Sequence, residues 1–197
     1  MRYVSLLLIF FATAAFAATS ELDRAAAALP GYEASFTQSF TPKGFKNAQV
    51  ETGTVLFGAL PMMRWSYMKP EEKLFVFDGQ KSWFYMPADK QVTVARIDDN
   101  RKRELPFLLI GDPAARDRAF NVRESKGTVT MQPKAAGLIR TASLTVDPST
   151  HLLRSIEYTD REGNHTRFDF SGYHRAAAGP NAFQFTPPAG VQVVNAE

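Results

Sequence analysis

The chain contains no cysteine. Disulfides and thiolate chemistry are therefore excluded, and stability has to come from packing and hydrogen bonding. Histidine is nearly as scarce: His151, His165 and His174 lie on separate late segments, with no spacing that suggests a metal site. There is no Gly-x-Ser-x-Gly elbow, and "GDPAARD" (111–117) lacks the glycines and lysine of a phosphate loop. Glu71-Glu72, Asp147 and Asp160 fall at turns and do not read as paired catalytic acids. Excess charge of one sign is missing too. Twenty-three basic residues face 20 acidic ones, and the one basic run, "RKR" at 101–103, is flanked by Asp98-Asp99 and Glu104. No concentrated basic stripe for nucleic acid is present. These absences point away from an enzyme, a metal or cofactor protein and a nucleic-acid binder.

Only one long hydrophobic run exists, and it stands at the start. "YVSLLLIFFATAAF" follows Arg2, the sole charge before Glu21, and ends on Ala15-Phe16-Ala17. It is too short for a comfortable membrane span. The small residues at 15 and 17 predict a signal peptide, residues 1–17, cleaved after Ala17. Residues 18–197 are then a single exported domain, long enough for a substantial core. The absence of cysteine suits a bacterial periplasm.

What is abundant is aromatic residues, 16 of them phenylalanine. "ELDRAAAALPGY" predicts a short helix stopped by Pro30-Gly31. Thereafter the period is two. "YEASFTQSF", "VETGTVLFG", "MRWSYM", "KLFVFDG", "KSWFYMP" and "QVTVARI" are strand-length runs, with Asp78-Gly79 as a hairpin signal. "ELPFLLIGDPAARDRAF" interrupts them: an apolar cluster, Leu105, Phe107, Leu108, Leu109 and Ile110, followed by Asp112 as an N-cap and Pro113 in the first turn of a helix. "GTVTMQP", "LIRTASLTVD", "HLLRSIEYTD", "NHTRFDFSGY" and "AFQFTPP" then resume the strand pattern. About ten or eleven strands with two helical pieces predict a large, curled antiparallel sheet whose helices cover one face.

In "LFVF" and "WFYM" both alternating faces carry large apolar groups, where a sheet with one wet face would alternate cleanly. Two arrangements explain this: burial on both sides, or an open concave face lined with apolar groups.

The order of "FTQ" (36–38), "RWSYMKP" (64–70), "VFDGQKSWFYMPADKQV" (76–92), "LPFLLIGDP" (105–113) and "FTPPAGVQVV" (185–194) resembles the LolA family of periplasmic lipoprotein carriers over nearly the whole exported chain. The resemblance implies an incomplete, strongly curled antiparallel β-barrel with a short helical lid over an apolar cavity that takes acyl chains. It implies Met63, Trp65, Phe75, Phe77, Trp83 and Tyr85 as cavity-lining candidates, and Leu105, Phe107, Leu108, Leu109 and Ile110 as the lid. The implied partners are acylated lipoproteins as cargo, an inner-membrane lipoprotein-releasing ABC transporter as donor and an outer-membrane receptor as acceptor. A monomer without cofactor is expected. The family pattern also has an arginine before the proline that precedes "RW", where it latches the lid; this chain has Leu60 there. A carrier of other lipids or glycolipids, an envelope hydrolase and a periplasmic scaffold are the alternative readings.

Overall fold

The computed structural model describes residues 20–98, 106–179 and 181–196. The signal-peptide reading, residue Leu105 and the "RKR" run lie outside the described residues.

Helix α1 (Glu21–Ala28) starts at Ser20, whose hydroxyl accepts from the Asp23 amide at 3.0 Å, with Glu21 and Asp23 favourably placed in the first turn. Leu22 and Ala25 from the helix and Leu29 just after it are fully buried. Gly31, with φ of +80°, takes the chain out of the helix and into the sheet, a conformation a side chain would resist.

Strands β1 (Tyr32–Thr41), β2 (Gln49–Phe57), β3 (Met63–Lys69), β4 (Lys73–Phe77), β5 (Lys81–Met86) and β6 (Gln91–Arg96) follow as an antiparallel meander. A 3-10 turn (Pro106–Leu109) and helix α2 (Pro113–Ala119) interrupt the series. Next come β7 (Phe120–Ser125), β8 (Thr128–Pro133), β9 (Ile139–Val146), β10 (Leu153–Asp160), β11 (His165–Arg175) and β12 (Gln192–Ala196). Among the described residues, these twelve strands make one sheet in the order β12-β6-β5-β4-β3-β2-β1-β11-β10-β9-β8-β7. Its outermost strands, β12 and β7, do not pair with each other, so the curl is an unclosed barrel. The core fills the space between one face of this sheet and the helical pieces. Phe36, Trp65, Leu144 and Phe168 from strands pack there with Leu22 and Leu29 near α1 and with Leu108 and Leu109.

Two local expectations hold in detail. Asp78 closes the β4–β5 hairpin by accepting from the amides of Gln80 (2.8 Å) and Lys81 (2.7 Å), with Gly79 at φ +101°. Asp112 caps α2 through its carboxylate and the Ala115 amide at 2.9 Å, with Pro113 in the first turn.

"AFQFTPP" is not a strand. Pro187 and Pro188 lack the N–H groups a ladder needs, and the last strand begins only at Gln192, where it pairs parallel with β6. The segment before it lies against the outer face of the sheet. Phe185 contacts the ring of Tyr85 at 5.4 Å, Phe183 sits against Gly58, and Arg64 donates to the Ala182 carbonyl at 3.4 Å.

Candidate functional site

Residues directly opposite each other in an antiparallel pair share a face. One such row crosses five strands: Ala34, Val55, Trp65, Phe75 and Phe84. A second runs Phe57, Met63, Phe77 and Ser82. Both belong to the face that carries the core. Gly53 leaves the gap that lets Phe36 reach across β2, so that the Phe36 ring lies 5.0 Å from Trp65 and 4.9 Å from Tyr67. A Cβ at Gly53 would stand 2.0 Å from the Ser66 carbonyl oxygen, so that position tolerates nothing larger.

On this face lies a cavity of about 190 Å³ lined by Gln38, Trp65, Tyr67, Phe75, Phe84, Phe107, Tyr158 and Phe168. Trp65 forms part of its wall, with ring centroids of Phe168, Phe170 and Phe107 at 5.2, 5.9 and 5.9 Å. The cavity's polar groups are neutral. Tyr67 donates to the Gln38 side-chain oxygen at 2.8 Å. Burial first, and then the nearby Glu51 carboxylate and the Tyr158 phenol, push the Tyr67 phenol far above its ordinary range. Burial raises the Tyr158 phenol as well. The Lys73–Glu51 ion pair stands beside this wall, with the Lys73 ammonium 5.8 Å from the Tyr67 ring centroid. Uncharged, mostly aromatic walls can hold hydrocarbon by contact and exclusion of water.

The 3-10 turn covers this face. Phe107 reaches the cavity, while Leu108, Leu109 and Ile110 are buried in the core cluster. The C-terminal side of the turn is held by long bonds, Ile110 N to Phe107 O at 3.5 Å and Asp112 N to Leu109 O at 3.3 Å. Leu60, the position with an arginine in the family pattern, lies against the backbone of Gly111; a Cβ at Gly111 would come within 2.4 Å of the Leu60 Cβ.

The sequence-predicted wall residues separate into three groups. Trp65 and Phe75 line the cavity. Met63 and Phe77 share their face but are packed in the core beside it. Trp83 and Tyr85 point the other way, because the β4–β5 register sets them opposite Val76 and Leu74. They lie on the outer face, where Tyr85 meets Phe185, and their assignment to this cavity is corrected accordingly. Phe84, Tyr67, Gln38, Tyr158 and Phe168 were not anticipated. Alternation from Trp65 reaches Tyr67, and hairpin register from Phe75 reaches Phe84. Nothing local announces the other three.

The structure is thus an unclosed β-barrel with a neutral aromatic cavity under a short helical cover. The model of the family "Outer membrane lipoprotein carrier protein LolA" matches residues 27–186. The chain is 31% identical over 202 residues to an outer-membrane lipoprotein carrier protein of Xanthomonas axonopodis pv. citri (strain 306), covering 98% of this chain and 96% of that one. It is 29% identical over 176 residues to an outer-membrane lipoprotein carrier protein of Serratia proteamaculans (strain 568), covering 88% and 86%. The fold is similar to that of an uncharacterized conserved protein from Thermus thermophilus, with a TM-score of 0.56, 13% identity, and 89% and 97% of the two chains covered. The chain belongs to the LolA family of outer membrane lipoprotein carrier proteins.

Proposed function

We propose that this protein binds the acyl chains of lipoproteins against the concave aromatic face and carries them through the periplasm from the inner to the outer membrane. An inner-membrane lipoprotein-releasing ABC transporter would be the donor and an outer-membrane lipoprotein receptor the acceptor. The observation that carries the reading is the cavity walled by Trp65, Phe75 and Phe84 and covered by Phe107, in a chain of this family. Its chemistry suits the cargo: each methylene exposed to water costs about 0.8 kcal/mol, so free acyl chains need a dry surface and no reactive group.

The cavity, about 190 Å³, is smaller than the roughly 300–1,000 Å³ of small-molecule sites. Cargo chains would enter by displacing Phe107 and the Leu108–Ile110 cluster and taking over their contacts with the sheet. Nothing in such an exchange consumes a nucleotide. Release would follow from competition by the acceptor's site.

The test is Phe84→Glu. Phe84 lines the cavity and is only half-buried, so a carboxylate there is tolerated by the fold but desolvated by an entering chain. Binding of a fluorescent fatty acyl probe should fall at least about tenfold with the far-UV spectrum unchanged. Undiminished binding by a folded variant would refute the site.

A further inference from the structure

Among the described residues, the large apolar side chains that stand exposed are Phe45, Val50, Met68, Leu138 and Val193. They come from five different places in the sequence, yet the topology gathers them at one end of the barrel. Phe45 is in the β1–β2 loop, Val50 begins β2, and Met68 ends β3. Leu138 precedes β9, its carbonyl accepting from Arg161 in the β10–β11 turn, and Val193 pairs with Val92 at the start of β6. The cavity residues Gln38, Tyr67, Phe84 and Tyr158 occupy the half of their strands nearest this same end. The exposed apolar groups therefore ring the side toward which the cavity lies.

Phe45 is the most prominent of them, 70% exposed. Its loop is ordered: the Phe45 amide bonds to the Pro42 carbonyl at 3.0 Å, the Lys43 amide to the Asn164 side chain at 3.0 Å, and Gly44 supplies φ of +84°. The ring is exposed, Lys43 and Lys46 flank it in sequence, and residues 42–48 contain no acid. Beside it the β10–β11 turn carries Asp160 and Glu162 with Arg161, both carboxylates bonded to the Asn164 that holds the Lys43 amide, and elsewhere at this end Glu71, Glu72 and Asp89 are interspersed with Lys69 and Lys90; the Phe45 loop itself carries two lysines and no acid of its own.

An aromatic ring flanked by lysines suits the interface of an anionic bilayer, the ring entering the headgroup layer while the ammonium groups stay with the phosphates. Separate apolar knobs around a rim also suit a fluid lipid surface better than a protein partner, which requires one contiguous packed core. We infer that this end of the barrel, led by Lys43, Phe45 and Lys46, docks on anionic phospholipid surfaces. Resting on the carrier reading, the inference adds that the cavity is presented to the membrane, so that chains cross little water on transfer.

The test is flotation of the purified protein with vesicles of phosphatidylethanolamine and phosphatidylglycerol, and with vesicles of phosphatidylcholine alone. The wild type should float with the anionic vesicles, more weakly at high salt, and poorly with the zwitterionic ones. Phe45→Glu should weaken this about tenfold or more and Lys43→Ser with Lys46→Ser about thirtyfold. All variants should keep their far-UV spectra and their affinity for a fluorescent acyl probe. Absence of wild-type flotation, or equal flotation by the variants, would overturn the inference. So would a concentration-dependent dimer abolished by Phe45→Glu, which would give the surface to a second copy. Failure of the wild type to bind the acyl probe would instead strike the carrier reading, whatever the vesicles show.

Discussion

Gly111→Ala isolates the contact between the covering segment and the sheet. A Cβ at residue 111 would stand 2.4 Å from the Leu60 Cβ, 3.1 Å from its carbonyl carbon and 3.2 Å from its oxygen. Two of these three are backbone atoms, and Pro61 follows directly, so Leu60 has little room to retreat. Overpacking of this kind costs about 1–3 kcal/mol. If 107–112 is a separable cover, the cost falls on its closed state alone, and the open fraction rises by roughly five- to 140-fold. Native-state hydrogen exchange on the ligand-free protein reads this directly. Amides at 107–112 should exchange faster by that factor while those of β3, β4 and β5 do not. A second substitution, Leu60→Gly, removes the nearest clashing atom and should recover part of the protection. Unchanged exchange at 107–112 would refute the reasoning, as would uniformly faster exchange in the strands, because the segment would then be permanent core.

Hydrophobic closure predicts one further property. Because Leu60 and not a cation faces Gly111, exchange at 107–112 should respond weakly to added salt. Trp65→Glu should unfold the protein, visible as a collapsed thermal transition: Trp65 is 2% exposed and packed among Phe36, Phe107, Phe168 and Phe170. The Asp23–Arg116 ion pair, at 2.9 Å, joins α1 to α2. Burial raises the Asp23 carboxyl, but hydrogen bonds from Arg116 and Ser20 outweigh it and hold the group below its ordinary value. Its contribution to stability is then complete above the unfolded value of about 3.9 and is lost as pH falls through the lower folded one. Asp23→Asn should cost about 1–2 kcal/mol at neutral pH in denaturant titrations, allowing for the partly exposed carboxylate, and the gap from wild type should shrink on acidification.

Turn and capping signals are legible in the sequence, whereas the strand pattern of "AFQFTPP" is not realised. The Asp78-Gly79 hairpin, the Asp112 cap with Pro113 and the apolar segment before it all stand where turn and capping chemistry put them. The two-sided apolar pattern in β4 and β5 has both of its possible causes. One face meets the cavity and core, and the other is covered by the segment carrying Phe183 and Phe185. That second cover made Trp83 and Tyr85 look like wall residues. The information to separate them was present, since a two-residue hairpin loop sets an odd-numbered residue of β4 opposite an even-numbered residue of β5, and so Phe75 opposite Phe84. Gln38, Tyr158 and Phe168 were beyond such reasoning. They reach the cavity only because the sheet curls and β11 returns to β1, a pairing across more than a hundred residues that no local pattern encodes.

The central claim, that this concave face shelters acyl chains, is tested most directly by native mass spectrometry of the protein purified from a bacterial envelope extract. The account predicts a one-to-one complex whose added mass releases acylated lipoprotein or lipid on activation, and an empty Phe84→Glu variant prepared in parallel. Wild-type protein that is repeatedly empty, or a Phe84→Glu variant carrying the same ligand, would contradict it.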